Sequence, residues 1–230
     1  MLKVFVGWDS REDIAFQVCK TSILKRASVP VEVIPIKQHE LRQLGLYTRE
    51  VDAQASTEFT ITRFFTPYLN KYSGPALFMD CDFLWLADVK EVFDLFDPKY
   101  AVQVVKHDYQ PKEHIKMDGQ VQHLYPKKNW SSLILWNCEH PANMALIPGL
   151  LNRAAPSVLH QFKWLREEEI GELSHQYNWL AGWYHEPRDG SPKAVHFSEG
   201  GCWFPEYQDV EYADLWKKEY KELTGEVWDG

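Results

Sequence analysis

The segment ALFMDCDFLW (76–85) carries two aspartates inside an otherwise apolar run. A continuous apolar run entered by a Gly-Pro turn is typical of a strand that is buried on both faces of a sheet. Burying a carboxylate costs free energy unless an opposite charge meets it. Asp80 and Asp82 therefore indicate a strand that leads to a site able to meet their charge.

Apolar runs and helical patterns alternate along the chain. Strands are predicted at 3–9, 29–36, 74–82, 100–106, 131–137 and 193–197. Apolar residues at helical spacing predict helices at 10–28, 56–72, 89–96, 144–153, 157–169 and 211–223. This alternation predicts an α/β fold, a single Rossmann-like domain over 1–230 with a mainly parallel mixed sheet flanked by helices.

The predicted strand ends share a polar character. Asp9, Asp80, Asp82 and Lys106 all fall where a strand is expected to end. Ligands of α/β sheets bind at the carboxyl ends of the strands. We therefore expect a polar crevice along this edge.

Composition limits what such a crevice can bind. The formal net charge is −8, and a nucleic-acid binder needs a basic face, so nucleic acid is not an expected partner. An acidic chain can still bind a phosphorylated ligand when a metal ion mediates the contact. The many aromatic residues suit either a dense core or a groove that stacks on ring-shaped ligands.

Cysteine usage and hydropathy predict the compartment. Cys19, Cys81, Cys138 and Cys202 are scattered without a CxxC pair, so neither a zinc site nor a disulfide framework is expected. The sequence shows no signal-peptide pattern and no apolar stretch long enough to span a bilayer. We therefore expect a cytoplasmic protein with reduced thiols and no transmembrane segment.

Two carboxylates that are two residues apart, just past a strand end, can both reach one hard cation. Solvated turns often contain the same pair, but the apolar residues on both sides of Asp80 and Asp82 argue against such a turn. His196 in KAVHFSEGG follows another apolar strand and is a candidate third ligand, with a core histidine as the alternative. Gly200 and Gly201 could turn backbone N–H groups toward a phosphate.

The order of these motifs resembles the GT-A glycosyltransferases of family 8, the group of glycogenin and the bacterial lipopolysaccharide galactosyltransferases. It is also similar to small bacterial and viral proteins of that class. The matching segments are VFVGWD, TRFFTPYL, ALFMDCDFLW, NWSSLILWN and VHFSEGG, which together cover nearly the whole chain. The resemblance implies a GT-A fold with a nucleotide-binding half at 1–105 and a sugar and acceptor half at 106–230.

The resemblance also implies a role for each matching residue. Asp80, Asp82 and His196 would hold Mn²⁺ or Mg²⁺, and Gln161 beneath the anomeric carbon would be catalytic together with Asp82. The expected donor-binding residues are Gly7, Trp8, Asp9, Arg63, Asp80, Cys81, Ser131, Ser132, Gly200 and Gly201.

The sequence departs from the family pattern in three places. His160 and Phe162 replace the aspartates that flank the family's glutamine, here Gln161, and Trp130 stands where the family has an asparagine. In the final motif, the last matching segment VHFSEGG and the residues that follow it, the sequence lacks the lysine that contacts the diphosphate in the family. Lys106 could replace that charge, although an ordinary surface lysine is the alternative.

The implied reaction transfers a sugar from a UDP-sugar to a hydroxyl of a glycan, a lipid-linked sugar or another acceptor, with retention, as in polysaccharide biosynthesis. Trp179, Trp183 and Tyr184 could line the acceptor side, unless they pack in the core. A nucleotidyltransferase acting on sugar phosphates remains an alternative, although VGWDSRED lacks a glycine-rich phosphate loop. A non-catalytic nucleotide-sugar or carbohydrate-binding module also remains an alternative. Such a module would not need all three metal ligands.

Overall fold

The computed structural model describes residues 1–50, 55–108 and 126–229. Its main sheet contains β1 (Leu2–Trp8), β2 (Val31–Lys37), β3 (Pro75–Met79), β5 (Val102–Val104), β6 (Leu133–Asn137) and β7 (Ile170–Glu172). The strand order is β2-β1-β3-β6-β5-β7. β1 is parallel to β2 and β3, β5 is parallel to β7, and β6 is antiparallel to both of its neighbours. The predicted mainly parallel mixed sheet is confirmed.

A second sheet has three strands, β4 (Phe83–Trp85), β8 (Trp179–Leu180) and β9 (Ala194–His196), in the order β4-β9-β8. The sequence predicted one strand over 74–82. Instead, β3 ends at Met79, and residues 80–82 form a turn that leads into β4. The apolar run therefore serves two different sheets, and its two carboxylates lie in the turn between them.

The two long helices agree with prediction: α1 (Asp13–Arg26) and α7 (Ala213–Thr224). The remaining α-helices among the described residues are short, namely α2 (Gln38–Gln43), α3 (Thr66–Leu69), α4 (Lys90–Phe93), α5 (Pro148–Leu151) and α6 (Pro156–His160). Within this part of the chain, no helix has the length and apolar character needed to cross a membrane.

Four predicted helices are shorter than expected, among them segment 89–96, which forms only α4. Segment 56–72 forms turns, a 3-10 turn at Thr62–Phe65 and then α3, because its β-branched residues disfavour a long helix and a proline suits only a first turn. Segments 144–153 and 157–169 shrink to α5 and α6, each of which begins at a proline. Phe162 has a left-handed φ of +53° just after α6, which ends the helix.

The core divides into two clusters of buried residues, and α1 contributes to both. Phe16, Cys19 and Ile23 pack in the larger cluster with the main sheet. Ala15 and Val18 pack in the smaller one with the second sheet and α7, whose buried members also include Leu84, Val195, Phe197, Trp203 and Trp216. α1 thus packs against both sheets and fixes how they meet at the turn after β3.

Candidate functional site

Backbone hydrogen bonds hold the turn that carries the two aspartates. The N–H of Asp80 donates to the carbonyl oxygen of Ser132 at 2.9 Å. On the other side of the turn, the N–H of Phe197 donates to the carbonyl oxygen of Asp82 at 3.0 Å. The turn is therefore anchored at one end to the residue before β6 and at the other end to the residue after β9.

His196 meets this turn from the end of β9. Antiparallel pairing places it opposite Phe83, and its imidazole stacks on the Phe83 ring with centroids 4.4 Å apart and planes at 15°. Its Nε2 atom lies 3.4 Å from Oδ1 of Asp82. One ligand atom from each of Asp80, Asp82 and His196 lies within 4.8 Å of the other two.

The chemistry of this cluster fits a divalent cation. Two carboxylates and one neutral imidazole are ligands that Mn²⁺ and Mg²⁺ accept to different degrees. The side chains are mostly buried, with exposed fractions of 13% for Asp80, 11% for Asp82 and 3% for His196. Converging acceptors repel each other in such a poorly hydrated place, so a cation stabilises them. The fold thus brings together the three metal ligands expected from the sequence.

Behind His196 lies a chain of polar groups that the sequence did not reveal. His196 Nδ1 is 2.8 Å from Oδ1 of Asn178, whose amide nitrogen donates to Oγ of Ser132 at 2.8 Å. The Ser132 hydroxyl in turn donates to the carbonyl oxygen of Asn129 at 2.7 Å. Asn178 lies in a loop just before β8, and no spacing pattern in the sequence distinguishes it.

Glu12 has a buried carboxyl group whose ionisation depends on that of Asp82 and Asp9. Its carboxyl group is buried and accepts a hydrogen bond from Nε1 of Trp203 at 3.1 Å. Burial, followed by the negative charges of Asp82 and Asp9, raises the pKa of Glu12 to about 8. Near pH 7 the Glu12 carboxyl group is therefore mostly protonated and adds little negative charge beside Asp82.

Arg63 is a cation that the chain itself supplies beside the cluster. Its Nη1 lies 2.9 Å from Oδ1 of Asp80 and also donates to the carbonyl oxygen of Ser131 at 2.9 Å. The guanidinium lies against the rings of Phe59 and Phe78 and is almost fully buried. Arg63 therefore contacts Asp80 directly, and its own exposed surface is small.

His160 extends the group formed by Arg63 and Ser131. Nδ1 of His160 lies 2.8 Å from Oγ of Ser131, and its ring packs edge-on against Phe64. Burial, together with the positive charge of Arg63, lowers the pKa of His160 to about 3, so the imidazole is neutral near pH 7. Gln161 follows at the end of α6 and is partly exposed.

Two of the residues expected to hold the nucleotide are packed inside the protein. Asp9 is completely buried and accepts hydrogen bonds from Arg11 and from the N–H of Glu58. Burial opposes its ionisation, but these hydrogen bonds outweigh it and lower the pKa of Asp9. At Gly7, a Cβ atom would lie 2.4 Å from the Phe59 ring, so only glycine lets this ring approach. Both residues are thus packed at the end of β1, and their role in donor binding stays a prediction.

Trp8, at the same strand end, keeps part of its ring accessible. Its Nε1 donates to Oδ1 of Asp13 at 2.7 Å, and Nζ of Lys37 lies 5.1 Å from the ring centroid. Trp8 and Lys37 are register partners at the carboxyl ends of β1 and β2. An aromatic surface and a positive charge thus lie where α/β sheets bind ligands.

The remaining expected donor residues are also buried. The N–H of Gly200 donates to the carbonyl oxygen of Phe197 at 2.9 Å, so this group is not aimed at a phosphate. At Gly201, a Cβ atom would lie 2.1 Å from the Trp203 ring. Cys81 is completely buried, which raises the pKa of its thiol well above the ordinary range. These three residues are packed inside the protein, and their role in donor binding stays a prediction.

The proposed acceptor wall is only partly accessible. Trp179 is completely buried, so its ring cannot stack on a sugar, and that part of the prediction is wrong. Trp183 and Tyr184 are partly exposed. The Tyr184 hydroxyl lies 2.9 Å from Nδ1 of His107, which fixes the ring at the border of the buried region.

Solved structures of similar shape are glycosyltransferases. The bifunctional WbbM superposes with a TM-score of 0.66 at 14% identity, over 95% of this chain and 49% of WbbM. GlyE of Streptococcus pneumoniae TIGR4 gives 0.63 at 14% identity, over 95% of this chain and 60% of GlyE. The galactosyltransferase LgtC, solved with donor and acceptor sugar analogs, gives a TM-score of 0.55 at 12% identity, over 99% of this chain and 98% of LgtC.

This chain therefore has the fold of the GT-A glycosyltransferases, as the sequence predicted, and it spans about half the length of WbbM. Among sequences, Protein CDI of Arabidopsis thaliana is 52% identical over 227 residues, which cover 97% of this chain and 88% of CDI. The chain belongs to the family of Protein CDI. No protein-family model matches it, and membership of family 8 stays a prediction.

Proposed function

We propose that the protein is a metal-dependent glycosyltransferase of the family 8 type. It transfers a sugar from a UDP-sugar to a hydroxyl of a glycan, a lipid-linked sugar or another acceptor, with retention. The observation that carries the proposal is the convergence of Asp80, Asp82 and His196 in the turn between the two sheets of a GT-A fold. LgtC, which shares this fold, was solved with donor and acceptor sugar analogs, and this supports a nucleotide-sugar donor here.

The three converging side chains would hold Mn²⁺ or Mg²⁺. When bound, the cation would stabilise the negative charge of the departing diphosphate as a Lewis acid. Arg63 keeps Asp80 in place through the 2.9 Å contact, so the carboxylate does not need to reorganise when charge develops. Lys106, whose Nζ lies 5.8 Å from the Trp130 ring centroid, is the proposed replacement for the lysine that the final motif lacks.

We assign the nucleotide to the half formed by 1–105, at the carboxyl ends of β1 and β2. The accessible face of Trp8 would stack on the uracil, and Lys37 is close enough to supply charge toward the phosphates. The half formed by 106–230 would bind the sugar and the acceptor, with Trp183 and Tyr184 at its border.

We keep Gln161 as the residue beneath the anomeric carbon. LgtC has an active-site glutamine that was changed to glutamate in another solved structure, which superposes on this chain with a TM-score of 0.53 at 11% identity. An amide is polar but weakly nucleophilic, which suits front-face attack and retention. Neutral His160, in place of a family aspartate, removes one negative charge from the sugar side.

The proposed location is the cytoplasm and the proposed process is polysaccharide biosynthesis. All four cysteines are free and buried, which agrees with a reducing compartment. Burial raises the pKa of the Cys138 thiol to about 12, so this thiol stays protonated and unreactive.

Release of UDP tests the proposal. The protein is incubated with a panel of UDP-sugars in Mn²⁺, with EDTA and with the matching GDP-sugars as controls. We expect UDP release from at least one UDP-sugar in Mn²⁺ and none in EDTA. Pyrophosphate release from UTP and a sugar phosphate would instead identify a nucleotidyltransferase. Binding of a UDP-sugar without any turnover would identify a binding module.

A further inference from the structure

The second nitrogen of His196 has a buried partner whose orientation can be deduced. Nδ1 lies 2.8 Å from Oδ1 of Asn178, and the two residues are 2% and 0% exposed. Neither group can exchange this contact for water. The direction of this hydrogen bond therefore decides which nitrogen of the neutral ring carries the proton.

The direction follows from the far end of the chain of polar groups. A backbone carbonyl only accepts, so the single hydroxyl proton of Ser132 goes to the Asn129 oxygen, 2.7 Å away. Ser132 Oγ must then accept from the amide nitrogen of Asn178, at 2.8 Å. The amide oxygen of Asn178 consequently faces His196, and Nδ1 must donate to it.

This assignment leaves the lone pair of neutral His196 on Nε2. Nε2 is the nitrogen that lies 3.4 Å from Oδ1 of Asp82, inside the cluster of candidate metal ligands. Stacking on Phe83 and strand pairing already fix the plane of the ring. Asn178 adds the one property that packing cannot fix, which is the position of the proton.

We propose that Asn178 is a positioning residue that holds His196 in the Nδ1–H tautomer and thereby sets the affinity of the site for a divalent cation. This inference rests on the metal-binding part of the proposed function and is independent of the donor and the reaction. An outer partner of this kind fixes both tautomer and ring orientation of a ligating histidine.

Ser132 gives the arrangement a second connection. Its hydroxyl orients Asn178, while its carbonyl oxygen accepts from the N–H of Asp80 at 2.9 Å. One residue, directly before β6, therefore supports a candidate ligand on each side of the site. Asn178 itself is held by its backbone N–H, which donates to the carbonyl oxygen of His175 at 3.0 Å.

The first test uses metal-free protein. Long-range ¹H–¹⁵N correlation spectra of ¹⁵N-labelled protein identify the tautomer, with the His196 signals assigned by their loss in His196→Gln. Above the pH at which the ring gives up its second proton, we expect a protonated Nδ1 and an unprotonated Nε2. The opposite tautomer in the wild-type protein would overturn the proposal without any further variant.

The second test measures Mn²⁺ affinity by electron paramagnetic resonance, with no nucleotide sugar present. Asn178→Leu keeps the size of the side chain and removes the acceptor, so we expect Mn²⁺ binding about 10- to 100-fold weaker. Asn178→Asp keeps an acceptor and should retain both the tautomer and the affinity. Ser132→Ala frees the amide to rotate and should give a smaller loss than Asn178→Leu.

Asn143→Leu is the matched control. Asn143 is equally buried, but it donates to the carbonyl oxygens of Ala101 and Asn137 at the opposite end of β6. The Asn143→Leu substitution should lower stability and leave the Mn²⁺ affinity of the folded protein unchanged. Wild-type affinity in Asn178→Leu, or an equal loss in Asn143→Leu, would overturn the proposal. Failure of UDP release alone would count against the proposed function and leave this inference intact.

Discussion

Two halves of the site share Asp80 and differ in where their positive charge comes from. The metal half comprises Asp82 and His196, and the arginine half comprises Arg63 and His160. In the arginine half, a buried guanidinium lies 2.9 Å from Oδ1 of Asp80, so the chain provides its own cation. In the metal half, a carboxylate and an imidazole converge, and under the proposed function the stabilising cation would come from solution.

Two consecutive serines separate the halves. The carbonyl oxygen of Ser131 accepts from Arg63, and its hydroxyl contacts His160. Ser132 orients Asn178, which contacts His196. The comparison teaches that folding alone completes the arginine half, whereas under the proposed function the metal half would be assembled by folding and completed by a bound cation.

The largest expected effect comes from removing the internal cation. Arg63→Met would leave the mostly buried carboxylate of Asp80 without its guanidinium, and we expect a loss of about 3–5 kcal/mol in the free energy of unfolding. Urea denaturation with and without Mn²⁺ measures it, and Mn²⁺ should recover part of the loss. Arg63→Met combined with Asp80→Asn should be more stable than Arg63→Met alone. Equal stability of these two variants would contradict the charge-pairing explanation.

Removing charge from the metal half should act on function more than on stability. Asp82→Asn is expected to lower Mn²⁺-dependent turnover about 100- to 1,000-fold, because a charged ligand is lost. The metal-free melting temperature should stay equal or rise, because repulsion with Asp80 is relieved. Asp94→Asn, on the exposed surface beside Lys90, is the control for both measurements. A large fall in metal-free stability would instead place Asp82 in a structural role.

The arginine half should also show a pH signature. The pKa of His160 is lowered to about 3 from the ordinary value of 6.5, so between these pH values the unfolded chain binds a proton that the folded protein does not. The associated stability is present above pH 6.5 and is lost as the pH falls toward 3. His160→Gln should therefore flatten the slope of unfolding free energy against pH, by up to about 1.4 kcal/mol per pH unit. An unchanged slope between pH 4 and 6 would contradict burial of a neutral His160.

The smallest expected effect is the loss of kcat on replacing Gln161, compared with replacement of a nearby surface residue. If Gln161 lies beneath the anomeric carbon, Gln161→Ala should lower kcat about tenfold, which is about 1.4 kcal/mol of transition-state stabilisation. Stability and Mn²⁺ affinity should stay within experimental error, because the side chain is partly exposed. Lys163→Ala, two residues along on the surface, is the control. A loss of stability without a change in kcat would show that Gln161 supports only α6.

Local patterns predicted those elements whose pattern is long. β1, α1, β2 and α7, each seven residues or longer, all agree with prediction, and α7 repeats one helical period. Segment 56–72 was predicted as one helix and forms turns, since its apolar spacing is helical but its β-branched residues and proline disfavour a continuous helix.

The second sheet shows the opposite case. β4 has three residues and β8 has two, which is too few for a period to be visible. β4 exists because Phe83 pairs with His196, more than a hundred residues further along the chain. Strands of this length gain their stability from pairing with distant residues, and no local window of sequence contains that information.

The sequence by itself determined the α/β class, the acidic character and the identity of the three candidate metal ligands, because Asp80, Asp82 and His196 stand at the ends of apolar runs. Only the tertiary structure decided that Asp9 is buried, that His160 contacts Ser131, and that Asn178 stands behind His196. The physical reason is the distance along the sequence over which each kind of interaction acts. Burial and periodicity act on neighbouring residues, whereas a hydrogen bond between buried side chains depends on how two distant segments pack against each other.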